Sequence, residues 1–233
     1  MLLSPLNWLV HISSSLEWGV ALVMLYRYGR LIGRRDIRRF ALFMLPHWIG
    51  SWFVLFYHIT GDTIMRLLEL SEAINLVGSI ALLYATLKIL QGEEKREAKP
   101  RTAFMGALFG GVMLAAGVDE PGYSFLMGKS WFDAVLQVSS VVYLTFLVLL
   151  LRVRKKDPEA FSSLTVAGFW FVLVFISVTV VCMYVAIHVL GYQSLSHNDF
   201  LHGFAESLLS ASNLMIALGI HKQHKLAERQ LRA

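Results

Sequence analysis

Long apolar runs alternate with short basic clusters along this chain, and the clusters fall at every second interval between runs. Nineteen of the 21 Lys and Arg residues lie in four stretches. Arg27, Arg30, Arg34, Arg35, Arg38 and Arg39 form the first; Lys88, Lys95, Arg96, Lys99 and Arg101 form the second. Arg152, Arg154, Lys155 and Lys156 form the third, and Lys222, Lys225, Arg229 and Arg232 the fourth. Arg66 and Lys129 alone fall in the other intervals. Cytoplasmic loops of membrane proteins carry such an excess, so the pattern predicts both the class and the orientation of the chain.

A helix needs about 20 mostly apolar residues to cross a bilayer. Seven runs qualify, over approximately 6–26, 40–60, 67–90, 102–118, 131–151, 164–190 and 200–220. The predicted fold is therefore all-α, an integral membrane bundle of seven transmembrane helices with its N-terminus outside and its C-terminus cytoplasmic. The fourth run is the shortest, and Gly106 and Gly110 give it a small-residue face suited to close helix contact. Three segments are expected: a three-span unit over 1–90, a charged cytoplasmic loop over 91–101, and a four-span unit over 102–233 with a short basic tail. The start of the chain lacks a basic leader and an evident cleavage site, so it reads as an uncleaved first span.

The net charge of +5 would suit nucleic acid, but the cations are accounted for as loop anchors beside anionic headgroups, and no nucleic-acid partner is expected. The single cysteine, Cys182, sits in an apolar run and reads as a small hydrophobe. A retinal protein would need a lysine in the last span, and Phe200–Ile220 contains none. There is no GxGxxG after a strand, P-loop, CxxC or HExxH.

Ionisable residues inside the runs collect toward the outer side. They are His11 and Glu17 on the first span, His58 ending the second, Glu69 and Glu72 opening the third, and Asp133 opening the fifth. His188 ends the sixth, and Asp199, His202 and Glu206 open the seventh. Each charge at membrane depth costs roughly 2.5–3.5 kcal/mol on insertion scales, so such groups should face the bundle interior or water. At 100° per residue, Asp199, His202, Glu206 and Asn213 share one helix face. This predicts one polar cavity near the outer face, formed by the first and last spans with the third contributing. His202 and Glu206 stand one turn apart, so the carboxylate is expected to hydrogen-bond the imidazole and raise its basicity. They are the candidate catalytic pair, with Glu17. His11, Asp199, Asn213, His58 and Glu72 are candidate binding residues. No metal-ligand set is assigned and the cofactor is left unknown. The alternative for each residue is a packing contact that satisfies a buried polar group.

Two segments carry more than hydropathy. "WLVHISSSLEW" (Trp8–Trp18), followed by "YRYGRL" (Tyr26–Leu31), resembles the Ycf-type membrane family named after the hypothetical chloroplast reading frame forty-nine, over about residues 1–90. "NDFLHGFAESLLSASN" (Asn198–Asn213) resembles a companion cyanobacterial and plant membrane domain of unknown function, over about 160–220. The resemblance implies a multi-pass protein of a bacterial inner membrane, or of a thylakoid membrane in a photosynthetic host. It implies no established reaction. The function expected is binding or modification of a lipophilic small molecule, such as an isoprenoid, carotenoid, quinone or lipid. A non-enzymatic assembly factor for a larger membrane complex is one alternative, and a proton-coupled carrier is the second.

Overall fold

A computed structural model of the chain describes residues 3–94 and 131–232, all without strands. Helix α1 (Pro5–Leu31) starts where the Ser4 side chain accepts the Asn7 N–H and Pro5 presets the first turn. It ends at Leu31, and Gly33 then turns the chain with a φ of +70° that glycine adopts at no steric cost. The next apolar run is one membrane-length stretch, Arg35–Ile59, but it folds as two helices, α2 (Arg35–Phe43) and α3 (Leu45–Ile59). Pro46 causes the break, because it has no N–H to continue the ladder. The Met44 carbonyl at the break accepts the Trp18 indole N–H at 3.0 Å.

Helix α4 (Met65–Glu94) follows, then α5 (Trp131–Lys156) and α6 (Ser163–Tyr184), which runs on as a π-helical turn over Val185–Val189. Helix α7 spans Asp199–Arg232. It continues well past the apolar run that ends near residue 220. The Gln223 amide tethers the extension to the Tyr28 hydroxyl at 3.1 Å, and residues such as Ala227, Glu228 and Gln230 favour helix. Six helical stretches among the described residues are long and apolar enough to cross a membrane. The expected span at 102–118 lies outside the described residues.

The two ends of the bundle differ in chemistry. At the basic end the Arg34 guanidinium bridges Asp36 and Asp157, each at 2.6 Å, and so joins the α1–α2 turn to the α5–α6 turn. These bonds and the opposite charges hold Arg34 above its ordinary pKa, the Asp36 hydrogen bond contributing most. Tyr28 donates to the Glu159 carbonyl at 2.7 Å beside them. Phe40, Phe146, Phe161 and Phe169, all fully buried, fill the core on this side. Phe40 lies 4.7 Å from Phe161 and Phe146 5.4 Å from Phe169, centroid to centroid. The first pair is tilted and the second edge-to-face, an arrangement that fixes ring orientation as well as burying area.

Helices α1 and α7 pack side by side and run the same way, since their paired positions climb together: Asn7 with Asp199, His11 with His202, Glu17 with Ser210, Tyr28 with Gln223. Helix α3 runs against α1, pairing His58 with His11 and Ser51 with Ser15. Helix α6 packs on α7 through glycines. Gly168 lies under Ile216 and its carbonyl accepts the Ser212 hydroxyl at 2.8 Å, while Gly219 abuts the Thr165 backbone. These registers carry three histidines, on α1, α3 and α7, to one level at the end opposite the arginines.

Candidate functional site: a histidine cluster at the polar end

His11, His58 and His202 are each buried and meet ring against ring. Their centroids are 4.8 Å apart for His11–His58, 5.0 Å for His11–His202 and 5.3 Å for His58–His202. His11 Nε2 and His202 Nε2 are 2.8 Å apart, so one donates to the other. One nitrogen from each ring lies within 4.8 Å of the other two.

Two carboxylates stand behind the rings. Asp62 Oδ1 is 2.8 Å from His58 Nδ1, and Glu206 Oε2 is 3.7 Å from His11 Nδ1. Each therefore faces the Nδ1 side, leaving Nε2 toward the cluster. Asp62 is placed by the α3–α4 turn, where Gly61 and Asp62 take φ of +67° and +61° in succession. Aspartate tolerates that left-handed conformation better than most residues, and here it turns the carboxylate back onto the ring one helical turn earlier. The Ser196 hydroxyl donates to Asp62 Oδ2 at 2.5 Å, tying the α6–α7 loop to the same carboxylate. Burial works to raise the Asp62 pKa, but the hydrogen bonds from His58 and Ser196 prevail and hold it below the usual carboxylate value.

The expected His202–Glu206 hydrogen bond is not formed. His202 spends Nε2 on His11, and its Nδ1 is buried with no partner among the described residues. Glu206 reaches across to α1 instead, so the carboxylate that sequence spacing assigns to His202 serves His11.

The other candidates divide. Glu17 sits deeper, with both oxygens 2.8 Å from the Ser210 hydroxyl. Asp199 is exposed and acts as a clamp: it accepts the Ser4 N–H at 2.9 Å, and the Asn7 amide donates to its carboxylate at 2.6 Å and its carbonyl at 2.8 Å. Asn213 is buried and laces α7 to α1, donating to the Ser14 carbonyl and hydroxyl at 2.9 and 3.0 Å. Glu72, half-buried on α4, makes no hydrogen bond or ion pair with the described residues of the cluster. The third element that contributes to the cluster is thus α3 with its following turn, where α4 was expected. Asp62 was not among the candidates, although His58-x-x-x-Asp62 after a glycine repeats the spacing of His202-x-x-x-Glu206 and was the available signal.

Comparison with known proteins gives the chain two parts. Residues 2–88 match a family described as "Protein of unknown function (DUF2499)", and residues 132–225 match one described as "Protein of unknown function (DUF3593)". Two segments of unknown function are joined here. The second match begins near the start of α5, earlier than the resemblance at 160–220 suggests. No curated protein and no solved structure matches the chain. The histidine cluster draws on both parts: His11, His58 and Asp62 come from the first, and His202 and Glu206 from the second.

Proposed function

We propose that the chain is a multi-pass membrane protein that binds, and acts chemically on, the polar end of a lipophilic small molecule at the histidine cluster. The observation that carries this reading is the meeting of three buried imidazoles from three helices, with carboxylates facing two of them. Polar groups at such depth are costly and concentrate where a membrane protein works. The arrangement supplies the parts of acid–base chemistry: Glu206 faces His11, His11 bonds His202, and the unpartnered His202 Nδ1 offers a hydrogen-bond site to an incoming group. An isoprenoid, carotenoid, quinone or lipid is the class of molecule that approaches such a centre from the bilayer.

The four basic clusters favour seven crossings with the N-terminus outside and the cluster beneath the non-cytoplasmic surface. Described helices α4 and α5 both run toward the basic end. The likeness of the first segment to the plastid reading-frame family supports a bioenergetic membrane, either a bacterial inner membrane or a thylakoid. The test is purification of the whole chain in mild detergent and mass spectrometry of co-eluting lipophilic molecules. A species enriched with the wild type and lost in Glu206→Gln supports the reading. Identical profiles from wild type and variant overturn it, and a stoichiometric protein partner with no small molecule would favour an assembly factor.

A further inference from the structure

We infer that His11, His58 and His202 bind a transition-metal ion, with Asp62 and Glu206 orienting two of the three rings. The inference rests on reading the cluster as the working end of the bundle, and adds the chemistry of its occupant.

Three features point to a cation. First, the donors are gathered within reach of a single ion. One nitrogen from each ring lies within 4.8 Å of the others. Metal–imidazole bonds of about 2.0–2.1 Å in a tetrahedral site put neighbouring nitrogens roughly 3.3 Å apart. His11 and His202 at 2.8 Å would part by about half an ångström to admit an ion. His58 would close from the other side.

Second, the carboxylates sit where metal sites keep them. A ligating histidine commonly presents its second nitrogen to a carboxylate, which fixes the tautomer and strengthens the ring as a donor. Asp62 does this for His58 at 2.8 Å, and Glu206 faces Nδ1 of His11 at 3.7 Å. In His11 the opposite nitrogen, Nε2, is the one that faces His202.

Third, carboxylates approach the rings from two sides, and a cation between the rings offsets the negative charge they bring to a place where unbalanced charge is expensive. The Asp62 turn, with two consecutive left-handed residues, serves to place one of these carboxylates.

Three imidazoles and no thiolate suit zinc, copper, iron or nickel over magnesium or calcium. Three protein ligands leave a fourth position for water or for the polar end of a ligand, the pattern of catalytic sites. The two ends of the chain supply the ligands, so neither segment holds the site alone.

The probe is cobalt(II), which reports tetrahedral coordination by visible absorption. Purified wild type, stripped with chelator and titrated with cobalt, should bind one ion per chain with an intense visible band that zinc displaces. Elemental analysis of protein purified without chelator should show metal at a near-equal ratio. His58→Ala and His202→Ala should each abolish the band. Asp62→Asn keeps all three ligands and should weaken cobalt affinity by about 10–100-fold while retaining the band. Monodisperse elution and an unchanged helical circular dichroism signal separate loss of ligands from loss of fold. If folded wild type shows no band and takes up neither cobalt nor zinc, the inference falls, and the cluster is a hydrogen-bonded proton relay. If Asp62→Asn binds cobalt as tightly as wild type, the orienting role falls. Lipophilic molecules retained without metal would overturn this inference and spare the proposed function, and metal bound without such molecules would do the reverse.

Discussion

Gly203, one residue after His202, lies against the Asn7 side chain, and a methyl there would overlap the Asn7 amide oxygen and sit 3.0 Å from its Cγ. Asn7 has little freedom to retreat, because its amide nitrogen donates both to the Asp199 carboxylate and to its carbonyl. Gly203→Ala therefore forces the amide out of the clamp. Two hydrogen bonds are lost at about 0.5–1.5 kcal/mol each, the lower figure suiting the exposed Asp199. The stranded amide, only 3% exposed, adds about 1–3 kcal/mol. Alanine in place of glycine inside a helix returns about 1 kcal/mol. The net expectation is destabilisation by about 1–5 kcal/mol, or roughly 2–20 °C in Tm for a chain of this size.

The sign should invert when Asn7 is shortened. In an Asn7→Ala background the overlap is gone and the clamp already lost, so Gly203→Ala should be neutral or stabilising by up to about 1 kcal/mol. The assay is thermal unfolding in mild detergent, followed by maleimide labelling of Cys182, the single thiol, which is 5% exposed when folded. Additive effects of the two substitutions would refute the reasoning, because the cost is assigned wholly to their contact.

Other expectations follow from the same packing. Gly219→Ala should destabilise by about 1–3 kcal/mol, since its methyl would meet the Thr165 backbone nitrogen at 2.5 Å and the α6–α7 pair must part; Tm in detergent reads it. Arg34→Ala leaves Asp157, whose side chain is 8% exposed, without its cation, and should cost about 3 kcal/mol, most of it recovered by adding Asp157→Asn. Asp62 is held below its ordinary pKa, so its stabilisation is complete above about pH 4 and fades as pH falls through the depressed value; Asp62→Asn should flatten the acid limb of a pH–Tm profile in that range. Cysteines placed at Thr63 and Lys225 should label from opposite sides of an intact membrane, Thr63 from outside, and labelling of both from one side would reject the orientation.

Histidines 11, 58 and 202 are far apart in sequence and obey no short ligand spacing, so no motif could announce their meeting. What could be read was their depth: each lies near the same end of its apolar run, and ionisable groups inside a bilayer gather where they can satisfy one another. Pairing by spacing failed for Glu206, since residues one turn apart on a helix are merely available to each other, and the ring of His11 offered the nearer nitrogen. Glu72 shows the same limit: helical periodicity gives its face, while the packing of α4 decides which residues that face meets.

Hydropathy and charge, being local in the chain, determined helicity and an expected membrane setting, because a bilayer demands internally bonded segments of set length flanked by cations. The tertiary structure decided which helices stand side by side, which end of α3 meets α1, and that Asp62 turns inward. Those choices depend on glycine contacts, capping bonds and the left-handed turn at 61–62, acting between residues as distant as Asn7 and Asp199, and pattern along a chain does not encode distance across it.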